Sequence, residues 1–195
     1  VITPGEMGDL LRAVRITRAN GSFYLEREKK YHEIQSFLTH LVVLEREMKR
    51  DRELLLVDGG CGKSYLSFVL NHVLTHKIHR PARFLGVDAN PEIIRTCEGI
   101  ARDLGFGNMD FRVGRVLDLV PDSTPDVVFA LHACDTATDE TIAMGIRHEA
   151  RAVAVAPCCQ RELKRTLGAR HPLSPVGHFP ILREQVYGKP LVYLD

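Results

Sequence analysis

A glycine-rich turn, Asp58-Gly59-Gly60-Cys61-Gly62-Lys63-Ser64, constrains this chain more than any other feature, because of what flanks it. Before it, Leu54-Leu55-Leu56-Val57 is a short continuous apolar run, the pattern of a strand buried on both faces. After it, Leu66, Val69, Leu70, Val73 and Leu74 recur at helical spacing. A buried strand that feeds a helix through glycines brings bare backbone close to whatever binds at the strand's carboxyl end. Gly62-Lys63-Ser64 imitates the end of a P-loop, but that motif needs a glycine five residues before Gly62, where Val57 lies inside the strand. A dinucleotide fingerprint fits little better. Tyr65 occupies its third glycine position, and Asp88 lies beyond the usual spacing of about 20 residues.

The strand-turn-helix pattern then repeats. Phe84-Leu85-Gly86-Val87 ends in Asp88, Asn90 supplies a helix cap and Pro91 the first helical position. Ile93, Ile94, Cys97, Ile100, Ala101 and Leu104 form the buried face of that helix, and Gly105 sits where a left-handed cap is wanted. Met109–Val113, Val127–Leu131 and Ala152–Ala156 read as three further strands, with a helix from Thr138 to about His148. The segment 171–189 holds several Gly and Pro residues and has no clear assignment, and Pro190–Asp195 reads as a strand. Ahead of the core, Tyr31, Ile34, Leu38, Leu41 and Val42 give an amphipathic helix from Glu26 to about Met48, whose mixed charges suit a solvated face. The expected fold is Rossmann-like α/β, with a mostly parallel sheet and helices on both faces. Residues 1–50 are expected to be a helical segment packing on a core domain of residues 51–195.

At 195 residues and 45% hydrophobic composition, the chain suits one domain. Its formal charge of +1 supplies no global field toward nucleic acid or an anionic membrane. No apolar run approaches the ~20 residues of a membrane span. Five cysteines, an odd number including the vicinal pair Cys158 and Cys159, suggest reduced thiols and a cytoplasmic location. The start on Val1 and the short tail lead us to expect an incomplete carboxyl end.

The pattern Asp-x-Gly-x-Gly at Asp58–Gly62, with Ser64 where a third glycine often occurs, resembles motif I of class I S-adenosylmethionine-dependent methyltransferases. Ala130-Leu131-His132-Ala133-Cys134-Asp135 and Ala156-Pro157-Cys158-Cys159-Gln160 extend the resemblance to the methyltransferase domain family numbered 32, over roughly residues 30–163. That family occurs in methyltransferase-like proteins and in proteins named for a ribosomal RNA adenine dimethylase domain. The resemblance implies S-adenosylmethionine as cofactor and favours RNA as acceptor. It implies that Asp58 orders the loop and meets the methionine ammonium, and that Gly60, Cys61 and Gly62 form the cradle. By the same resemblance Asp88 holds the ribose hydroxyls with Ala89 beside it, Gly114, Arg115 and Val116 line the adenine, and Leu131 closes the site. A carboxylate suits adjacent hydroxyls because it accepts both hydrogen bonds.

In that topology His132, Asp135, Cys158 and Cys159 converge at one mouth. Methyl transfer is an in-line displacement, so the protein positions the acceptor and removes its proton where needed. His132 is the candidate base, with an unperturbed pKa near 6.5, and Asp135 would orient it or hold the acceptor. A local capping arrangement of His132 and Asp135 is an equal alternative. Cys158 after Pro157 is a candidate nucleophile toward a pyrimidine C6, although it follows the fifth strand and not the fourth. Zinc at His132, Cys134, Cys158 and Cys159 lacks a Cys-x-x-Cys pair, and no metal is expected. Strand four also lacks the Asn/Asp-Pro-Pro-aromatic motif of enzymes that methylate exocyclic base amines. Two other classes compete, a non-catalytic cofactor-binding module and a nucleotide-binding protein using Gly62-Lys63-Ser64.

Overall fold

A computed structural model describes residues 4–25, 27–49, 51–133 and 136–157. Among these residues five strands follow the apolar runs: β1 Leu54–Gly59, β2 Ala82–Asp88, β3 Met109–Val113, β4 Val127–Leu131 and β5 Ala152–Ala156; the strand expected at Pro190–Asp195 lies outside the described residues. All pair in parallel in the order β3-β2-β1-β4-β5. The order reverses between β1 and β4, and a crevice therefore opens outside their carboxyl ends. The first of those ends carries the glycine-rich turn.

Alternation along β1 sorts the core onto two faces. Leu54 and Leu56 join a large cluster with Phe84, Phe129, Leu66 and Leu70, while Leu55 and Val57 join Leu85, Val128 and Met144 on the other side. The first face is covered by α1 Gly8–Ala13, α2 Arg27–Arg46, α3 Tyr65–His72 and α4 Pro91–Asp103; the second by α5 Thr136–Arg147. Helix α3 continues as a π-helical turn, Val73–Lys77, that the apolar period did not reveal. Helix α4 starts where expected, with the Asn90 side chain accepting from the Glu92 N–H at 2.9 Å, and Gly105 follows it at φ +69°.

Helix α5 comes unusually close to β1. A Cβ on Gly59 would stand 2.3 Å from the Thr141 hydroxyl, so only glycine permits this contact. Helix α2 buries Tyr31, Ile34, Leu38 and Leu41 in the main core, as the sequence period required. It also buries Glu45, which the reading of a solvated charged face missed. Glu45 meets the equally buried Arg80, Nε to Oε1 3.4 Å, and Arg80 donates to the Lys49 carbonyl. Asp126, buried at the start of β4, accepts from both terminal nitrogens of Arg52 at 2.9 and 2.7 Å and from the Leu55 N–H at 2.9 Å. No described helix is long and apolar enough to cross a membrane.

Removing one member of a buried ion pair strands the other charge in a low dielectric. Glu45→Ala is expected to cost ~3–5 kcal/mol in urea denaturation, whereas Glu45→Leu combined with Arg80→Met is expected to be near neutral. Equal losses in the two variants would show that packing, not charge, governs this junction.

Candidate active site at the carboxyl ends of β1 and β4

The turn after β1 is folded around the Asp58 carboxylate. Asp58 is buried and accepts from the hydroxyls of Ser64, at 3.0 Å, and Ser67, in the first turn of α3. Gly60 and Gly62 take left-handed φ values of +64° and +51°, conformations open to glycine at little cost. Ser64 is left-handed as well, φ +52°, where the motif often carries glycine; its hydrogen bond to Asp58 compensates. Because that hydroxyl is committed to Asp58 and buried, it is not placed to ligate a magnesium ion as a P-loop serine does.

Burial drives the Asp58 pKa up to about 6, against the opposing hydrogen bonds from Ser67 and Ser64, with the nearby Asp88 charge adding to the rise. Asp88, at the end of β2, accepts from the Gly62 N–H at 2.9 Å through Oδ2 and from the Asn90 N–H at 2.9 Å through Oδ1. Each carboxylate oxygen has capacity for a further donor. Cys61 gives its N–H to the Val87 carbonyl, 2.9 Å, and its sulfur lies inward, where a Cβ on Gly86 would stand 3.3 Å away. Hydrogen bonding with Cys97, and then burial, push its thiol far above the ordinary range, so Cys61 is inert packing whose backbone serves the loop.

A cavity of about 300 Å³ lies against this turn. Among its lining residues are Asp58, Gly60, Cys61, Gly62, Leu131 and His132, six of the residues singled out in the sequence. Arg27, Lys30 and Ile34 of α2 close it from the opposite side and were not anticipated. Asp88 joins the loop through Gly62, and the Gly114 N–H donates to the Asp88 carbonyl at 3.0 Å, which brings the end of β3 beside it. Ala89 is exposed next to Asp88. Two expected adenine-lining residues are occupied elsewhere. The Arg115 guanidinium, 64% exposed, pairs with Glu140 at 2.6 Å, and the Val116 side chain is buried with Val57 and Leu85 in the second core cluster.

His132 has a left-handed backbone, φ +62°, and its Nε2 lies 2.9 Å from Glu33 Oε2 on α2. A carboxylate can only accept, so Nε2 carries the proton and Nδ1 keeps the lone pair. Desolvation lowers the His132 pKa, and Lys30 lowers it further, against the raising influence of Glu33. The balance of these influences favours the uncharged imidazole. The residues at 134, 135, 158 and 159 lie outside the described residues, and with them the candidates Asp135 and Cys158 and the cysteine members of the zinc alternative. Glu33 escaped the sequence reading because it is 99 residues from His132 on a helix with mixed charges.

The family comparison matches residues 29–166 to the family described as a methyltransferase domain, number 32. The chain belongs to this family of class I S-adenosylmethionine-dependent methyltransferases. No curated protein matches the chain. Among solved structures, a geranyl diphosphate methyltransferase in complex with GPP and sinefungin superposes with a TM-score of 0.52 at 16% identity, covering 68% of this chain and 46% of that one. The magnesium protoporphyrin IX methyltransferase of Synechocystis PCC 6803 with bound SAM gives 0.48 at 22% identity, covering 72% and 63%. The first of these likenesses supports the fold. In both cases this chain spans less than two thirds of the other's length.

The residues present fit the family's cofactor. A buried carboxylate held near pKa 6 is a site for a cation such as an ammonium, and Asp88 offers acceptors to paired hydroxyls. Because the folded pKa of Asp58 exceeds its unfolded value of 3.8, folding is favoured by its proton. That contribution is complete below about pH 3.8 and is lost as pH rises through about 6. Asp58→Asn is therefore expected to stabilise the ligand-free protein by about 2–3 kcal/mol at pH 8 and by nothing at pH 3.5. Chemical denaturation across that range checks it; a pH-independent difference would place the effect in packing.

Proposed function

We propose that this protein transfers the methyl group of S-adenosylmethionine to an acceptor held against His132, and that the acceptor is RNA. The observation that carries the first part is the convergence on one cavity of the Asp58–Ser64 turn and an imidazole oriented by Glu33. When bound, the cofactor supplies an electrophilic methyl group on a sulfonium. The chain's own contribution is positional and electrostatic. Asp88 fixes the ribose, Asp58 the ammonium, and Gly60 and Gly62 let the backbone approach between them. Glu33 holds His132 with Nδ1 as the basic nitrogen, and His132 takes the acceptor proton as the acceptor is methylated. RNA is favoured by the family resemblance and by the cations of α2 at the cavity rim. Within this reading, residues 51–195 form the cofactor domain, residues 1–50 a segment packed on it, and the protein works in the cytoplasm.

Calorimetry with S-adenosylhomocysteine tests the cofactor site. Asp88→Ala removes a charged acceptor of two hydrogen bonds and is expected to weaken binding by roughly 100-fold or more. ATP with magnesium should give no heat. Wild-type binding should also weaken as pH falls below about 6, because protonated Asp58 no longer attracts a cation. Failure of the folded protein to bind either form of the cofactor would end this reading. For the chemistry, radiolabelled methyl incorporation into total RNA should fall about 10²- to 10⁴-fold in His132→Ala with cofactor affinity retained. Label appearing in protein alone would replace RNA as the acceptor.

A further inference from the structure

The mouth of the cofactor cavity opens onto a second, larger space. Arg27, Lys29, Lys30, Leu25 and Glu33 line a cavity of about 660 Å³. Arg27 and Lys30 also line the cavity around Gly60–Ser64 and His132, so the two spaces meet at these two side chains. Glu33 is shared in another way, since its carboxylate holds His132 Nε2 at 2.9 Å while facing the larger cavity. A molecule in the larger space would therefore lie against the carboxylate that orients the imidazole.

The chemistry of this wall is cationic. Among the described lining residues three positive side chains face a single carboxylate, Lys30 pairing with Glu33 at 3.7 Å, so Arg27 and Lys29 carry the positive charge that would meet an anionic group. Elsewhere in the protein Arg52, Arg83 and Arg115 are paired with Asp126, Asp122 and Glu140. Arg27 and Lys29 form no ion pair among the described residues. The Arg27 guanidinium lies 5.6 Å from the centre of the Tyr65 ring. Stacking of that kind holds the plane while its N–H edge can still bind a phosphate in fork fashion. The volume lies within the ~300–1,000 Å³ of small-molecule sites, room for a phosphate together with the group that carries it.

We propose that this cavity is the acceptor subsite and that it binds a phosphate group of the methyl acceptor through Arg27, Lys29 and Lys30. The proposal rests on the methyltransferase reading and deepens it by naming the chemistry of the substrate. A nucleic-acid backbone and a phosphorylated small molecule share that chemistry. Lys29 lines the larger cavity and not the smaller, which makes it the residue that separates acceptor from cofactor.

The test uses the full chain saturated with S-adenosylhomocysteine and three probes: inorganic pyrophosphate, a ten-nucleotide oligouridylate and a ten-residue oligoglutamate. Both phosphate probes are expected to bind in competition with each other. Lys29→Glu should weaken them at least tenfold and leave S-adenosylhomocysteine affinity within twofold. Arg46→Glu, at the far end of α2 and about 25 Å away by helical rise, should change neither. For the oligonucleotide, the slope of log affinity against log salt should fall by about one in Lys29→Glu. An oligouridylate more than tenfold tighter than pyrophosphate identifies a strand as the source, and equal affinities identify a small phosphorylated acceptor. Two results would overturn the proposal while the cofactor still binds: oligoglutamate binding as well as the phosphate probes, or indifference to Lys29→Glu. Absence of S-adenosylhomocysteine binding in the folded wild type would instead remove the methyltransferase reading on which the acceptor assignment stands.

Discussion

The Asp58 carboxylate is the point from which the site is organised. A buried strand must release its chain at the carboxyl edge of the sheet, and here the turn folds back because Ser64 and Ser67 reach the same carboxylate. That pair of contacts sets the start of α3 and the left-handed positions at Gly60, Gly62 and Ser64. It also presents the Gly62 N–H to Asp88, so the ends of β1 and β2 are joined through one loop. The arrangement holds an ionisable group out of water with no cation beside it among the described residues, and burial outweighs both hydroxyl donors in setting its pKa. A ligand cation would supply what the fold omits.

The central strands β1, β2 and β4 were legible because burial writes itself into composition, and the edge strand β5 because its run of Ala and Val is equally apolar. Val127–Leu131 and Ala152–Ala156 match the observed strands residue for residue, since continuous apolar runs bounded by polar residues leave little choice of boundary. Helix α4 was equally clear, because Asn90, Pro91 and Gly105 are local signals with local causes. The β1 turn and the six cavity residues could be placed from the strand ends together with the family resemblance. What could not be read were contacts that depend on how α2 lies on the sheet. Glu33 at His132 and Glu45 at Arg80 are charges on a helix whose sequence suits solvent, and only packing distinguishes them from Glu28 or Glu47, which are exposed. Arg115 and Val116 show the converse, for their distance from the strand end is right but their side chains turn to α5 and the core.

Charge is segregated across the site. Asp58 and Asp88 lie on the sheet side, under and beside the turn, while Arg27, Lys29 and Lys30 lie on the α2 side. His132 answers to the α2 side, its pKa lowered first by desolvation and then by Lys30 and raised by Glu33. The overall charge of +1 conceals this polarity, which arises only when α2 folds over the carboxyl edge. Helix α2 is thus both a covering for the core through Ile34 and Leu38 and one wall of the site through Arg27 and Lys30 in its first turn.

The backbone at His132 has a consequence for how this protein would respond to drift. At φ +62° a histidine is less comfortable than glycine, by roughly 1 kcal/mol. Exchange for glycine would relax the chain while erasing the imidazole, so stability and the proposed chemistry pull this position in opposite directions. A search for hardier versions of the protein that screened only for resistance to heat would be drawn toward losing this side chain, and the tougher survivors would be the silent ones.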